Sequence, residues 1–223
     1  MKWIIRCSIG IGLIAMSMLS GCATFSGKEN PEIEKLADKS SFSRKPSVSI
    51  DVKYVAGSTN STMTPVENQK ATEKLKSIVQ QVSTTSDFFS QFSLDPFTSK
   101  DMDYTIKMEM LNHGSEGAAA ISGFITGLSL FLIPASATDH FKLTANVMDR
   151  NGTIIKTYEV NDKVTTWIGI WFVPFMGSSS DEVVLKVWEN MVKTIYQRID
   201  QDKLMLYAQL QFKNGLLVLN LPH

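Results

Sequence analysis

The 223-residue sequence predicts an α+β fold: a small mixed or antiparallel sheet, two helices packed on one of its faces, and an apolar insertion between strands. Three observations predict it. Several segments alternate apolar and polar residues with the period of a half-buried strand. Two others repeat apolar residues at helical spacing, and Asn151-Gly152 marks a hairpin.

The first strand is expected over residues 47–55, where Val48, Ile50, Val52 and Tyr54 alternate with polar neighbours. Gly57-Ser58-Thr59-Asn60-Ser61 reads as a loop. A helix should begin around Thr64, with Pro65 at its first position and Glu67 closing a capping box. Its stripe is Ala71, Leu75, Ile78, Val79 and Val82. Tyr104, Ile106, Met108 and Met110 give the next strand. Residues 141–150 and 153–164 give two more, joined by Arg150-Asn151-Gly152, where Asn and Gly both tolerate positive φ. A second helix should start at Ser180-Asp181-Glu182 and bury Val184, Val187, Trp188, Met191, Ile195 and Ile199. The tail, residues 204–223, holds a short hairpin about Lys213-Asn214-Gly215, and no internal repeat is present.

The N-terminus sets the compartment. Lys2 and Arg6 precede an uncharged run from Cys7 through Met18, which closes on Leu19-Ser20-Gly21-Cys22-Ala23. A basic start, a short apolar stretch and small residues at the cut describe a secretory signal over residues 1–21. Leu19-Ser20-Gly21-Cys22 resembles the lipobox of bacterial lipoproteins. That resemblance implies cleavage between Gly21 and Cys22, a diacylglycerol on the Cys22 thiol and an N-acyl chain (palmitate or similar) on its amine. One acyl chain binds a membrane marginally, whereas two or three anchor stably. Ala23, where the inner-membrane retention signal would carry Asp, implies the outer membrane and a periplasm-facing body. The competing reading is an uncleaved span, which needs about 20 apolar residues; Ser8, Gly10, Gly12, Ser17 and Ser20 dilute this run.

With Cys7 removed and Cys22 acylated, neither of the two cysteines is left for a disulfide, a thiol nucleophile or a thiolate metal site. Loss of Lys2 and Arg6 takes the charge balance from 22 basic and 22 acidic residues to 20 and 22. A near-neutral chain without a basic run gives no support to nucleic-acid binding. Residues 22–46, polar and punctuated by Pro31 and Pro46, are expected to form a flexible tether, and residues 47–223 a single periplasmic domain.

Two apolar stretches stand out. Residues 117–133 carry no charge and stop at Pro134, so the insertion is bounded as 117–134. As a helix the stretch would span about 25 Å, short of a bilayer core. Within it Ala119, Gly123 and Gly127 recur every four residues, a spacing that lets helices approach closely; Phe131 lies near its end. The second, residues 165–176, holds Trp167, Trp171 and Phe172. Three readings stay open: ordinary core, an apolar surface that meets a membrane or copies of the chain, and a pocket for an apolar ligand. Gly123, Gly127, Phe131, Trp167, Trp171 and Phe172 are the candidate contact residues. Neither stretch shows the strict alternation over about ten residues that a membrane β-pore needs.

No chemistry of catalysis is legible. His113, His140 and His223 are the three histidines; Asp139 adjoins His140, but nothing in their spacing describes a metal site. No nucleophile elbow, phosphate loop or His-Glu-x-x-His occurs. The expectation is no enzyme, no catalytic residue, no metal and no cofactor other than the acyl chains.

A Phe-rich helix end (Phe88, Phe89, Phe92) followed by Asp103-Tyr104-Thr105-Ile106-Lys107-Met108 resembles a passage of small envelope proteins. These include the TolB N-terminal domain, the lipoprotein activators of penicillin-binding proteins and the curli secretion lipoprotein. The resemblance covers residues 47–200, with Met102 where that pattern has Ala, and implies scaffolding, binding or assembly. The expected function is therefore a structural or assembly lipoprotein with a protein partner in the envelope. The alternatives are an oligomeric, partly membrane-inserted component of a secretion or transfer apparatus, and a carrier of lipid or another apolar ligand.

Overall fold

The computed structural model describes residues 21–39, 42, 44–57, 65–95, 97, 102–114, 126–129, 131–175, 179–205, 209–213 and 216–220, the last two stretches by backbone only. The alternating segments form one mixed, mostly antiparallel sheet. Its strands are β1 (Gly21–Ser26), β2 (Ser47–Ala56), β3 (Val66–Glu67), β4 (Gln91–Ser93), β5 (Tyr104–Asn112), β6 (Ala135–Met148) and β7 (Ile154–Gly169), in the order β1-β7-β6-β5-β2-β3, with β4 also on β2. β2 and β5 run parallel, and α1 (Gln69–Ser86) lies in the connection between them. β5, β6, β7 and β1 are successively antiparallel. α2 (Ser180–Gln201) follows the β6–β7 hairpin, and β8 (Gln209–Lys213) pairs with β9 (Leu216–Asn220) as the expected tail hairpin.

Alternation decides which face is covered. Val48, Ile50, Val52, Ile106, Met108, Met110, Phe141, Leu143, Ala145 and Val147 are all buried, as are the helix stripes facing them. The opposite face carries the exposed Lys53, Lys107, Glu109 and Glu159. Two helices on one face is what the sequence predicts. Trp188 of α2 packs against Tyr54 (5.1 Å between ring centroids) and Phe141 (5.7 Å), joining helix, β2 and β6. Tyr196, also on α2, meets Phe88 and Phe89, and its hydroxyl shares a 2.7 Å hydrogen bond with Ser83 of α1. Asp103 ties the starts of β2 and β5 together, accepting from the Ser47 backbone N–H and hydroxyl at 2.9 Å each.

Three expectations are corrected. α1 begins after Asn68, whose side chain accepts from Ala71 N–H, and not near Thr64, which itself lies outside the described residues. Val66 and Glu67 pair with Ala56 and Val55 instead, because the free edge of β2 offers them ladder partners before the helix can start.

The β6–β7 turn is wider than a two-residue Asn-Gly loop. The Asp149 carboxylate accepts from the N–H groups of Asn151 and Thr153, so Gly152 alone needs positive φ (79°).

The stretch expected as a tether is laid down on the body. β1 pairs with β7 from Gly21↔Gly169 to Ser26↔Val164. Beyond it, Asn190 on α2 accepts from Ile33 N–H (2.8 Å) and donates to the Pro31 carbonyl (3.0 Å). Leu36 is buried, and Lys39 forms a 2.5 Å ion pair with Asp200. Polar composition predicts a solvated chain only when nothing else offers partners; here the edge of β7 and one asparagine offer them.

Candidate functional site

The site is built at the end of the β6–β7 hairpin remote from its turn, where β1 joins. β7 ends at Gly169 and the chain continues as a tight 3-10 segment, Ile170–Phe175. Opposite it, residues 126–128 make one helical turn. It closes at Phe131, which takes a left-handed φ of 64° with its N–H on the Thr126 carbonyl. The two apolar stretches then meet. Ile170 N–H donates to the Phe131 carbonyl (3.2 Å), and the Trp171 indole N–H to the Leu132 carbonyl (3.0 Å). Gly169 permits the contact, since a Cβ there would stand 3.3 Å from the Pro134 Cβ.

The predicted contact residues divide. Trp167 and Phe172 are half-buried and stack on each other at 5.5 Å, which fixes the 3-10 segment against β7. Trp171 is exposed (61%) even though its N–H is satisfied. Phe131 is half-buried at the bend. Gly127 faces open space, with nothing within 4 Å of where a Cβ would lie. Among the described residues no helix packs against it. Gly123 lies outside the described residues, as does the rest of 117–125. Sequence reasoning missed Leu128, Leu132, Ile133, Val173 and Phe175, all exposed in the same region. Their signal was present: two uncharged runs, each broken by a proline, whose residues cannot all face a core.

Cys22 sits beside this apolar tip. It is exposed, and on β1 it stands opposite Ile168, two residues before the 3-10 segment begins. Neighbouring strands lie about 4.8 Å apart, so the thiol emerges from the edge of the tip. Further from the tip along the same strands, hydroxyl side chains pair with one another. Thr24 bonds Thr166 (3.1 Å) and Ser180 at the start of α2 (2.7 Å), and Thr138 bonds Thr165 (2.9 Å).

Charges begin one step further from the tip. Lys163, Asp139 and Lys28 lie at or just beyond the level where Ser26, Val164 and Asp139 face one another. Asn112 donates to Asp139 at 3.2 Å. The His113 and His140 rings are 5.8 Å apart, but no group of three or more His, Cys, Asp or Glu that could hold a metal occurs among the described residues. Among those residues, too, no helix is long and apolar enough to cross a membrane. A cavity of about 400 Å³ lies between the N-terminal arm and α2; Ser26, Pro31, Val183 and Val187 line it, with Lys28 and Lys186 among the other lining residues.

No family model matches the chain, and no curated protein matches it in sequence. Solved structures similar to it include a PelC dodecamer from Paraburkholderia phytofirmans (TM-score 0.33, 11% identity, 80% of this chain and 95% of that chain). A homologue of the neuraminyllactose-binding hemagglutinin from Helicobacter pylori aligns with TM-score 0.41 and 14% identity over 78% of this chain and 89% of that chain. A minor lipoprotein from Acinetobacter baumannii aligns with TM-score 0.35 and 10% identity over 73% and 96%. Likeness at this level says nothing of what the present chain binds or assembles with.

Proposed function

We propose that the chain is a lipid-anchored protein of the bacterial envelope, held to the periplasmic side of the outer membrane through Cys22 and acting there by protein contacts, not by catalysis. The observation that carries this reading is the position of Cys22. It ends the lipobox-like run Leu19-Ser20-Gly21-Cys22, is exposed, and opens a strand that is part of the sheet. Acyl chains on that thiol would hold the body directly at the bilayer with no free spacer. Two or three such chains suffice for stable anchoring. The charged, solvent-facing side of the sheet and the α2 surface remain for partners.

The full-length chain expressed in a Gram-negative host with an alkyne fatty acid tests the anchor. The expected result is label in the outer-membrane fraction, an N-terminal peptide beginning at acylated Cys22, and loss of both in Cys22→Ala. An unlabelled wild-type protein, or label retained in Cys22→Ala, overturns it. Cross-linking in intact cells followed by mass spectrometry tests the protein-contact role. Turnover of a small-molecule substrate, with no protein cross-linked, would overturn that part. Detergent-dependent rings would favour the oligomeric apparatus instead.

A further inference from the structure

We infer that the tip formed by Leu128, Leu132, Ile133, Trp171, Val173 and Phe175 docks in the membrane interface as a second attachment beside Cys22, fixing how the body stands on the bilayer. The inference rests on the anchor reading for its orientation, and on the structure for its surface.

The first argument is stratification. Residues 21–27, 126–138 and 164–175 contain no Asp, Glu, Lys or Arg, and the fold brings the described ones among them to one end of the sheet. On the paired strands three layers follow in order. Charges stand at Lys163 and Asp139; then come the hydroxyls of Thr138, Thr165, Thr166 and Thr24; then Ile168, the 3-10 segment and Leu132. From Val164 to Gly169 the strand rises about 17 Å. A boundary crossing β1, β7 and β6 at one register level is what a planar surface of graded polarity requires. A protein partner imposes no such planarity.

The second argument is cost. Exposed apolar patches of this kind are not left bare on soluble monomers. The Trp171 indole N–H already donates to Leu132, so burying the ring in lipid orphans no donor. Trp is favoured where apolar and wet layers meet. Among the described residues no helix is long and apolar enough to cross a bilayer, but interfacial segments need to sink only roughly 5–10 Å.

The third argument is continuity. Lipid on Cys22 would leave β1 opposite Ile168, so the acyl chains and the tip enter the same surface at the same place. α2 starts at the hydroxyl layer, where Ser180 bonds Thr24, and the six tip residues stay exposed.

Tryptophan quenching tests this on the full chain, expressed with its signal, purified and reconstituted into phosphatidylethanolamine–phosphatidylglycerol vesicles containing dibromo-acyl phosphatidylcholine. The tryptophans after Cys22 are Trp167, Trp171 and Trp188, the last buried in the core. The expected result is strong quenching by the brominated lipid, most of it lost in Trp171→Phe. It should also be lost in Leu132→Asp with Phe175→Asp, which leaves flotation and the Trp188 signal unchanged. Absent quenching in a protein that floats and carries the acyl mass overturns the tip while sparing the anchor. Quenching on a chain that lacks the acyl mass keeps the tip and overturns the anchor. Disulfide cross-links between copies through Phe175→Cys, with no lipid quenching, assign the tip to a second copy and overturn the proposal.

Discussion

One hairpin, β6–β7, passes through two environments, and its two halves obey different rules. Between Phe141 and Val147, and between Tyr158 and Val164, every second residue is buried under α2. Between Ala135 and His140, and from Thr165 to Ile168, alternation gives way to residues mostly half-exposed on both faces. Apart from Asp162, which accepts from the Glu29 and Lys163 backbone N–H groups, the covered half is apolar on one side because the helices need it. The uncovered half, apart from Asp139 at its inner border, is uncharged on both sides, and among the described residues no helix lies over it. Hydrophobicity in the first is therefore a matter of folding. In the second it needs a reason outside the folded chain.

The sharpest way to break this comparison is to damage the covered half. Trp188 touches Tyr54 and Phe141 and is buried. Trp188→Ala should cost about 3–5 kcal/mol in urea unfolding through the cavity it leaves. If it costs less than about 1 kcal/mol, burial under α2 is not what holds the hairpin.

A smaller effect is expected from Tyr196→Phe. Its hydroxyl is buried and bonds Ser83, so its loss should cost about 1–2 kcal/mol. Burial pushes the phenol pKa up, and the Ser83 hydrogen bond offsets this only in part. The neutral form is thus favoured in the folded state. That contribution is fully present below the ordinary phenol pKa of about 10 and is lost as pH rises from there through the raised folded value. Stability of the native chain should fall in alkali more steeply than that of Tyr196→Phe, as read by unfolding midpoints against pH.

Asp103 sharpens the same picture from the acid side. The Ser47 backbone N–H, then its hydroxyl, and the Arg150 guanidinium hold the carboxyl below the ordinary range, against a smaller desolvation effect. Its contribution is present above a pH of about 4 and is lost as pH falls through the lowered folded value. Asp103→Asn should cost about 1 kcal/mol at neutral pH and nearly nothing in strong acid.

The covered half was legible in the sequence because each of its rules is local. Period two in Val48–Tyr54 and Tyr104–Met110, period 3.6 in α1 and α2, and the Asn-Gly turn all reflect neighbours within a few residues. What was not legible depended on distant partners. The arm was read as a tether because Asn190 and the β7 edge, which hold it, lie more than a hundred residues away. The start of α1 was misplaced because β2 captured Val66 and Glu67. At the tip the sequence offered the right stretches and aromatic residues. It could not say that Trp167 and Phe172 would stack inward while Trp171 and Phe175 stayed out, since that split is set by where the 3-10 segment turns.

The smallest effect on folding is expected at the tip itself, and it separates the two halves most directly. Leu132 and Phe175 are more than half exposed, so truncating them removes little buried surface. Leu132→Ser and Phe175→Ser should each shift unfolding by no more than about 0.5 kcal/mol, the range of ordinary surface substitutions. Changes of the same chemical kind in the covered half, such as Leu143→Ser, should cost several times more, because Leu143 is fully buried. If the tip substitutions destabilise as strongly as Leu143→Ser does, the tip is core after all and its apolar residues serve only folding. If they leave urea midpoints in place, those residues are kept apolar by something the chain meets after it has folded.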